Sequence, residues 1–197
     1  MLVLPALFDE ANKLRRLTVE VMQRLDLAGI ASVLPDLPGC NESRQPLEAQ
    51  SLDHWRQCAV AAAEHFSATH VLTLRGGALV APSPMPGWNY APVAGRQVLR
   101  AMLRARTIAA REAGRDETID ALQQRGRSEG VELAGWHLDP ALFSQLEDAA
   151  PQPDSAQAAI EQAAVGGSGL WLRAEPDESP EQAEALAAIV AAGRAEA

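Results

Sequence analysis

The chain has 197 residues, a formal net charge of −9 and two cysteines. This length is typical of one domain, or of one domain with a tail, and it is sufficient to bury a core without disulfides or metal. The negative charge argues against nucleic-acid binding, because that function needs a cationic surface. Cys40 and Cys58 do not have the spacing of a disulfide framework or a zinc site. We therefore expect a cytoplasmic protein with no metal and no cofactor.

The first eight residues are apolar, but the run is short and has no basic residue before it. It continues directly into Asp9 and Glu10, which is typical of a first strand and not of a signal peptide. No apolar run approaches the roughly 20 residues of a membrane span, so we expect that this is not an integral membrane protein.

Three short apolar runs in the first half predict buried strands: residues 2–4, 30–34 and 71–74. Helical spacing of Leu14, Leu17, Val21 and Leu25 predicts a helix between the first two runs, and residues 53–66 form a second, Ala-rich helix. Strands separated by helices predict right-handed crossovers and a parallel sheet, with residues 71–74 near its centre.

The second half alternates between the same two kinds of element. Helices are predicted at residues 97–113, 117–125, 140–146 and 180–192, the third with Asp139 as its N-cap. Strands are predicted at residues 87–91, 131–138 and 170–172. We place one domain at residues 1–150, with a helical insertion at 95–127, and a linker, a short strand and a C-terminal helix at 151–197. The predicted fold class is three-layer α/β, with helices on both faces of a reduced, mainly parallel sheet like that of α/β-hydrolases.

The segment Thr73-Leu74-Arg75-Gly76-Gly77 lies at the end of the predicted strand at residues 71–74. In α/β-hydrolases this place holds the nucleophile elbow, G-x-S-x-G, on a sharp turn between strand and helix. Here Arg75 stands at the central position, and a protonated guanidinium cannot attack a substrate. Prolines soon after the segment leave room for only a very short helix: Pro82, Pro84, Pro86 and Pro92.

Four segments carry a family resemblance: residues 9–16, 34–43, 90–99 and 131–142. The most specific is Glu10-Ala-Asn-Lys-Leu-Arg-Arg16. Together they resemble the exosortase A system-associated hydrolases of the second type, which are bacterial α/β-hydrolase-fold proteins encoded near exosortase and exopolysaccharide genes. The resemblance covers most of residues 1–150. It implies a hydrolase-like fold and, as partner, a small anionic or glycan-related ligand or another protein of that system.

A hydrolase of this class needs Ser, then an acid, then His in chain order. His137 is the only histidine after the elbow, and no acidic residue between the two has a recognisable context. We therefore predict an accessory protein, a pseudoenzyme without Ser-based hydrolysis. The alternative is an active hydrolase on an ester, thioester or acyl substrate with a non-standard nucleophile: Cys40, Ser43, Ser67 or Ser83.

Arg75 is the first candidate for ligand binding. It should lie at the carboxyl edge of the sheet, where its guanidinium could hold a carboxylate or phosphate and Gly76 would let the ligand approach the backbone. Equally, Arg75 could form a structural ion pair with Glu10 or Asp36. The other ligand-binding candidates lie in the segment after the first strand, in the loop after the second, or beside the Pro-rich stretch: Glu10, Asn12, Lys13, Arg15, Asp36 and Trp88. Chemistry of a helix N-terminus and packing are the alternatives for these residues.

Arginines recur near one face of the helix predicted at residues 97–113: Arg96, Arg100, Arg104, Arg111 and Arg115. This face is either simply solvated or a docking surface for an acidic partner or for the protein's own acidic segment at residues 175–184.

Overall fold

Six strands are present in the computed structural model of the chain, which describes residues 1–152, 154 and 156–196. In chain order they are β1 (Leu2–Leu4), β2 (Val71–Leu74), β3 (Gly87–Tyr90), β4 (Val131–Leu133), β5 (Trp136–Leu138) and β6 (Gln157–Ile160). Four of them form one sheet in the order β1-β2-β3-β6, and each neighbouring pair is parallel. Strands β4 and β5 form a separate antiparallel hairpin.

The helices connect and cover these strands. In chain order they are α1 (Asp9–Leu27), α2 (Leu52–His65), α3 (Gly95–Glu112), α4 (Ile119–Ser128), α5 (Pro140–Asp148), α6 (Gln162–Val165) and α7 (Pro180–Glu196). Short 3-10 turns lie at Leu47–Ala49, Arg75–Val80 and Leu170–Leu172. No helix in the described part of the chain is both long enough and apolar enough to cross a lipid bilayer.

Side chains of successive strand residues enter two separate hydrophobic cores. Leu2 and Leu4 pack on one face of the sheet with residues of α2, α3 and α5, whereas Val3 packs on the other face with α1 and α7. Leu72 and Leu74 join the second core, as the pairing of Val3 with Leu72 requires. The mixed α/β class with a parallel sheet is confirmed, and helices on both faces are compatible with a three-layer arrangement.

The prediction of a strand at residues 30–34 is wrong. Only Val33 pairs with β1, through a single parallel bridge to Leu2, in which Val33 N–H donates to Met1 and Val3 N–H donates to Val33. The next backbone donor of such a ladder would be residue 35, and Pro35 has no N–H, so the ladder does not continue past Val33. With Val33 counted, the spatial order is Val33, β1, β2, β3, β6, so the direction of winding reverses between β1 and β2. In doubly wound sheets, ligands bind outside the carboxyl ends of the strands at this kind of switch point.

Two further elements differ from the sequence prediction. The strand predicted at residues 131–138 is a hairpin, because Ala134 and Gly135 both have positive φ (50° and 81°) and reverse the chain. The strand predicted at residues 170–172 is a 3-10 turn, and the short strand of this region is β6 instead. The linker predicted at residues 151–154 includes Pro153, which lies outside the described residues.

The C-terminal helix α7 packs against α1, and the acidic segment at residues 175–184, which includes the start of α7, forms ion pairs with α1. Arg24 Nε donates to Glu184 at 2.9 Å, and Arg16 forms an ion pair with Glu178. The acidic segment therefore contacts arginines of α1, and no ion pair joins it to the arginines of α3 in the described chain.

Candidate functional site

The elbow segment forms a sharp turn where the sequence predicts one. Strand β2 ends at Leu74, and Arg75 starts the 3-10 turn with a φ of 52°, which is unusual for a residue with a Cβ. Two residues later, a Cβ on Gly77 would lie 2.7 Å from the carbonyl oxygen of Leu4. The turn after β2 thus lies directly against the chain that leaves β1, at the switch point of the sheet.

The guanidinium of Arg75 is held by the carboxylate of Glu10 at the start of α1. Arg75 Nε donates to Glu10 Oε2 and Nη2 donates to Oε1, both at 3.1 Å. Nη1 donates to the carbonyl oxygen of Ala91 at 2.9 Å. Only 13% of the Arg75 side chain and 11% of the Glu10 side chain are exposed. Of the two partners considered for Arg75, Glu10 and Asp36, it is Glu10 that forms the ion pair.

An aromatic side chain covers the ion pair. The Arg75 guanidinium carbon lies 3.9 Å from the centre of the Trp171 ring, a cation–π arrangement. Tyr90 meets the Trp171 ring edge-on, with 6.0 Å between ring centres, and its hydroxyl donates to Gln162. Burial raises the pKa of Tyr90 to about 12, although the positive charge of Arg75 opposes the shift. Arg75 therefore joins α1, the residue that follows β3, and the 3-10 turn at Leu170–Leu172 through one side chain.

Three of the ligand-binding candidates come together: Arg75, Glu10 and Gly76. Gly76 packs against Leu7, since a Cβ at residue 76 would lie 3.1 Å from Leu7 Cγ. The space in front of the elbow is thus occupied by the residues that follow β1 and by Trp171.

The remaining candidates lie apart from this cluster. Lys13 is paired with Asp9 at 2.9 Å, within the first turns of α1. The carboxylate of Asp36 accepts hydrogen bonds within its own loop, from the Asn41 side chain at 2.9 Å and from the backbone of Glu42.

Asn12, Arg15 and Trp88 also have other surroundings. Asn12 and Arg15 are exposed on α1 and line a shallow groove along that helix. Trp88 is buried and stacks on His70, with 5.9 Å between ring centres.

The proposed non-standard nucleophiles lack a partner base. Cys40, Ser43, Ser67 and Ser83 make no hydrogen bond to a histidine within the described residues: Ser83 donates to Asp154, and Ser43 accepts from backbone N–H groups. Burial, and secondarily the negative charge of Asp36, raises the pKa of Cys40 to about 12. A thiol with this pKa is protonated at neutral pH and is a poor nucleophile.

One cysteine does contact a histidine. Cys58 Sγ lies 3.5 Å from His54 Nε2, one helical turn away on α2. Burial raises the pKa of this thiol as well, which opposes formation of a thiolate. The Cys58 side chain is half-buried on α2.

A groove of about 540 Å³ lies on the opposite face of the sheet from α1, and the sequence did not predict it. It lies between the second half of α2, the end of the 3-10 turn at Arg75–Val80, and the start of β6. Its walls are mostly apolar, with Val60, Ala61, Leu79 and Pro82, and Arg56 bridges two walls because its Nε donates to the carbonyl oxygen of Leu79 at 3.0 Å.

A buried chain of hydrogen bonds runs across the sheet towards this groove. Thr73 Oγ1 donates to Asn89 Oδ1 at 2.7 Å, and Asn89 Nδ2 donates to Gln157 Oε1 at 3.2 Å. Gln157 Nε2 in turn donates to the carbonyl oxygens of Pro82 and Met85. Each of these three polar side chains has a hydrogen-bond partner, so the network fixes β2, β3 and β6 relative to one another.

Comparison with known proteins gives no match: no protein-family model, no curated protein and no solved structure is significantly similar to this chain. Within residues 1–152, 154 and 156–196, no group of three or more His, Cys, Asp or Glu side chains is arranged to hold a metal ion.

Proposed function

We propose that this chain is a non-hydrolytic accessory protein on a scaffold that resembles the α/β-hydrolases. The proposal is based on the position of Arg75 and on the contacts of its guanidinium. It occupies the place of the nucleophile, and its guanidinium is engaged by Glu10, by the Ala91 carbonyl and by the face of Trp171. A side chain held in this way stabilises the turn and has no role as an attacking group.

Three features support descent from a hydrolase-like scaffold. Arg75 has the positive φ of a strained turn after a strand, as a nucleophile elbow requires. Gly77 allows the close approach of this turn to β1. The order of Val33 and the four parallel strands places the turn at the switch point, where active sites of open α/β sheets are built.

The accessory role consists of binding. We place it in the bacterial cytoplasm and in the exosortase and exopolysaccharide context that the sequence resemblance implies, with a small anionic or glycan-related ligand or a protein of that system as partner. An anion that reached Arg75 would take the place of the Glu10 carboxylate, because both need the same edge of the guanidinium. It would also have to move Trp171 from the face of the group.

The test is labelling of the folded protein with a fluorophosphonate and with iodoacetamide, followed by mass spectrometry. We expect no stoichiometric fluorophosphonate adduct, and no thiol that reacts faster than the same thiol in the urea-unfolded protein. Stoichiometric labelling of one serine, or an accelerated cysteine, would overturn the proposal and favour the alternative, an active hydrolase on an ester, thioester or acyl substrate.

A further inference from the structure

Two charged residues of α1 differ from the others on that helix in having no ionic partner among the described residues. The other charged side chains each have an ionic partner in the chain: Asp9 with Lys13, Glu10 with Arg75, Arg16 with Glu20 and Glu178, and Arg24 with Glu20 and Glu184. Arg15 and Asp26 are exposed and have no ionic partner among the described residues. They are three turns apart on the helix.

Arg15 and Asp26 lie at the two ends of one surface, which we call the α1 face. Between them along the helix lie Val19, which is 38% exposed, and the half-buried Met22. Together with the exposed Gln23 and residues 32–34, these four side chains line one groove of about 540 Å³. The α1 face therefore has an apolar centre with an unpaired cation at one end and an unpaired anion at the other.

The spacing of these residues is symmetric. The midpoint of Arg15 and Asp26 falls between Glu20 and Val21, and the midpoint of Val19 and Met22 falls at the same place. If a second α1 helix ran antiparallel across this point, Arg15 would face Asp26 of the other copy at both ends. Val19 would face Met22 twice in the middle. A two-fold interface requires this kind of self-complementary surface.

The sheet edge beside the α1 face is also open. Val33 uses its backbone N–H and carbonyl to pair with β1, whereas Ser32 and Leu34 make no backbone hydrogen bond within the part of the chain that the structure describes. An uncovered sheet edge next to an apolar stripe is a site that another chain can cover.

We propose that the α1 face is the interface of a homodimer in which two α1 helices pack antiparallel about a two-fold axis near Glu20 and Val21. A second copy is favoured over an unrelated protein because the charges and the apolar residues are complementary to themselves under one rotation. The stripe from Arg15 to Asp26 is about 16 Å long at about 1.5 Å per residue. A stripe of this length provides less contact area than a standard stable interface, which buries about 800 Å² per partner. We therefore expect a weak dimer whose fraction rises with protein concentration.

The experiment is sedimentation velocity of the full chain over a concentration series up to about 1 mM. We expect a dimer whose dissociation constant rises at least about tenfold in Arg15→Asp and in Asp26→Arg, because each change places like charges opposite one another twice. An equimolar mixture of these two variants should form a heterodimer. At one end of it the introduced aspartate faces the introduced arginine, and at the other end the native Arg15 of one copy faces the native Asp26 of the other. The double variant Arg15→Asp/Asp26→Arg should dimerise on its own.

Matched controls lie on α3. Arg104→Asp makes the same change as Arg15→Asp at an exposed position of another helix, and Ile108→Asp, like Val19→Asp, replaces an exposed aliphatic residue by aspartate. Both controls should leave the dimer intact, whereas Val19→Asp should weaken it. Circular dichroism and thermal unfolding establish that each variant is folded. A chain that is monomeric throughout the series, a dimer that survives Val19→Asp, or single variants that fail to associate when mixed would each overturn the proposal.

Discussion

A Cβ atom on Gly77 would lie 2.5 Å from the carbonyl oxygen of Pro5, so the elbow turn and the chain after β1 can approach this closely only with glycine at residue 77. The opposing atoms belong to the backbone, and rotation of a side chain cannot relieve the contact. Gly76 differs, because a Cβ there would meet the flexible side chain of Leu7 at 3.1 Å. Two adjacent glycines thus provide a test of which contact shapes the turn.

We expect Gly77→Ala to lower the free energy of unfolding by about 2–4 kcal/mol, because the backbone of the loop must move. Gly76→Ala should cost less than about 1.5 kcal/mol, since Leu7 can adjust. Urea denaturation followed by circular dichroism measures both values. Equal losses for the two variants would show that the approach to Pro5 does not constrain the turn.

The Arg75–Glu10 pair should contribute to stability in a way that a surface pair of the same geometry does not. Arg75→Met and Glu10→Met should each lower the free energy of unfolding by about 3 kcal/mol, because each leaves one charge in a shielded place without its partner. The double variant should cost less than the sum, with a coupling free energy of about 1–3 kcal/mol.

Arg127 and Glu147 provide the matched control for this cycle. They form the same bidentate arrangement, with distances of 2.7 and 2.8 Å, but 54% of the Arg127 side chain is exposed. The corresponding methionine cycle should give a coupling free energy below about 1 kcal/mol. If the two cycles gave the same coupling, burial under Trp171 would have no effect on the strength of the pair.

The position of the elbow could be predicted from sequence, but the surroundings of Arg75 could not. The run at residues 71–74 and the glycines after it are local signals for a strand and a sharp turn. Trp171 lies nearly one hundred residues after Arg75, in a segment predicted as a strand, and no local pattern relates the two. The pairing with Glu10 was one of two arrangements considered, because the loops that carry Glu10 and Asp36 were both expected at the same edge of the sheet.

Strand β6 was missed for a different physical reason. Its sequence, Gln157-Ala-Ala-Ile160, has one β-branched residue, so its intrinsic preference for a strand is weak. Pairing with β3 and the hydrogen bonds of Gln157 to Asn89, Pro82 and Met85 hold it in place. Residues 30–34 have the opposite property: the sequence favours a strand, but Pro35 has no N–H to extend the pairing with β1 beyond one bridge.

Removal of the Glu10 carboxylate should expose an anion site. In Glu10→Ala, the guanidinium of Arg75 keeps its contacts with Ala91 and Trp171 but loses its charged partner. A small carboxylate such as acetate should then bind there and raise the thermal midpoint of this variant more than that of the parent chain. Glu147→Ala, in which the freed arginine is exposed, is the control for general salt effects. An equal response of both variants would contradict a specific site at Arg75.

Cys40 should be unreactive in the folded protein. Because burial and the charge of Asp36 raise its pKa to about 12, almost none of the thiol is ionised at pH 8. Iodoacetamide at this pH should therefore leave Cys40 unmodified until urea unfolds the chain, as peptide mass spectrometry can measure. Cys58 is an internal comparison. Both side chains are half-buried, but burial alone raises the pKa of Cys58, without the added negative charge that Asp36 places near Cys40, so Cys58 should react first. Rapid modification of Cys40 in the native state would restore it as a candidate nucleophile.

His70 should make stability depend on pH in one direction. Burial, and next the positive charge of Arg194, lowers the pKa of His70 below its ordinary value of 6.5. The unfolded chain thus binds a proton at this residue more readily than the folded chain does. The contribution of neutral His70 is fully present above pH 6.5 and is lost as the pH falls from 6.5 towards the lower pKa of the folded state. His70→Gln should flatten the decline in the free energy of unfolding over this window, whereas His65→Gln, the same change at an exposed position, should leave it unchanged. A decline of equal slope in parent and His70→Gln would assign the pH dependence to other groups.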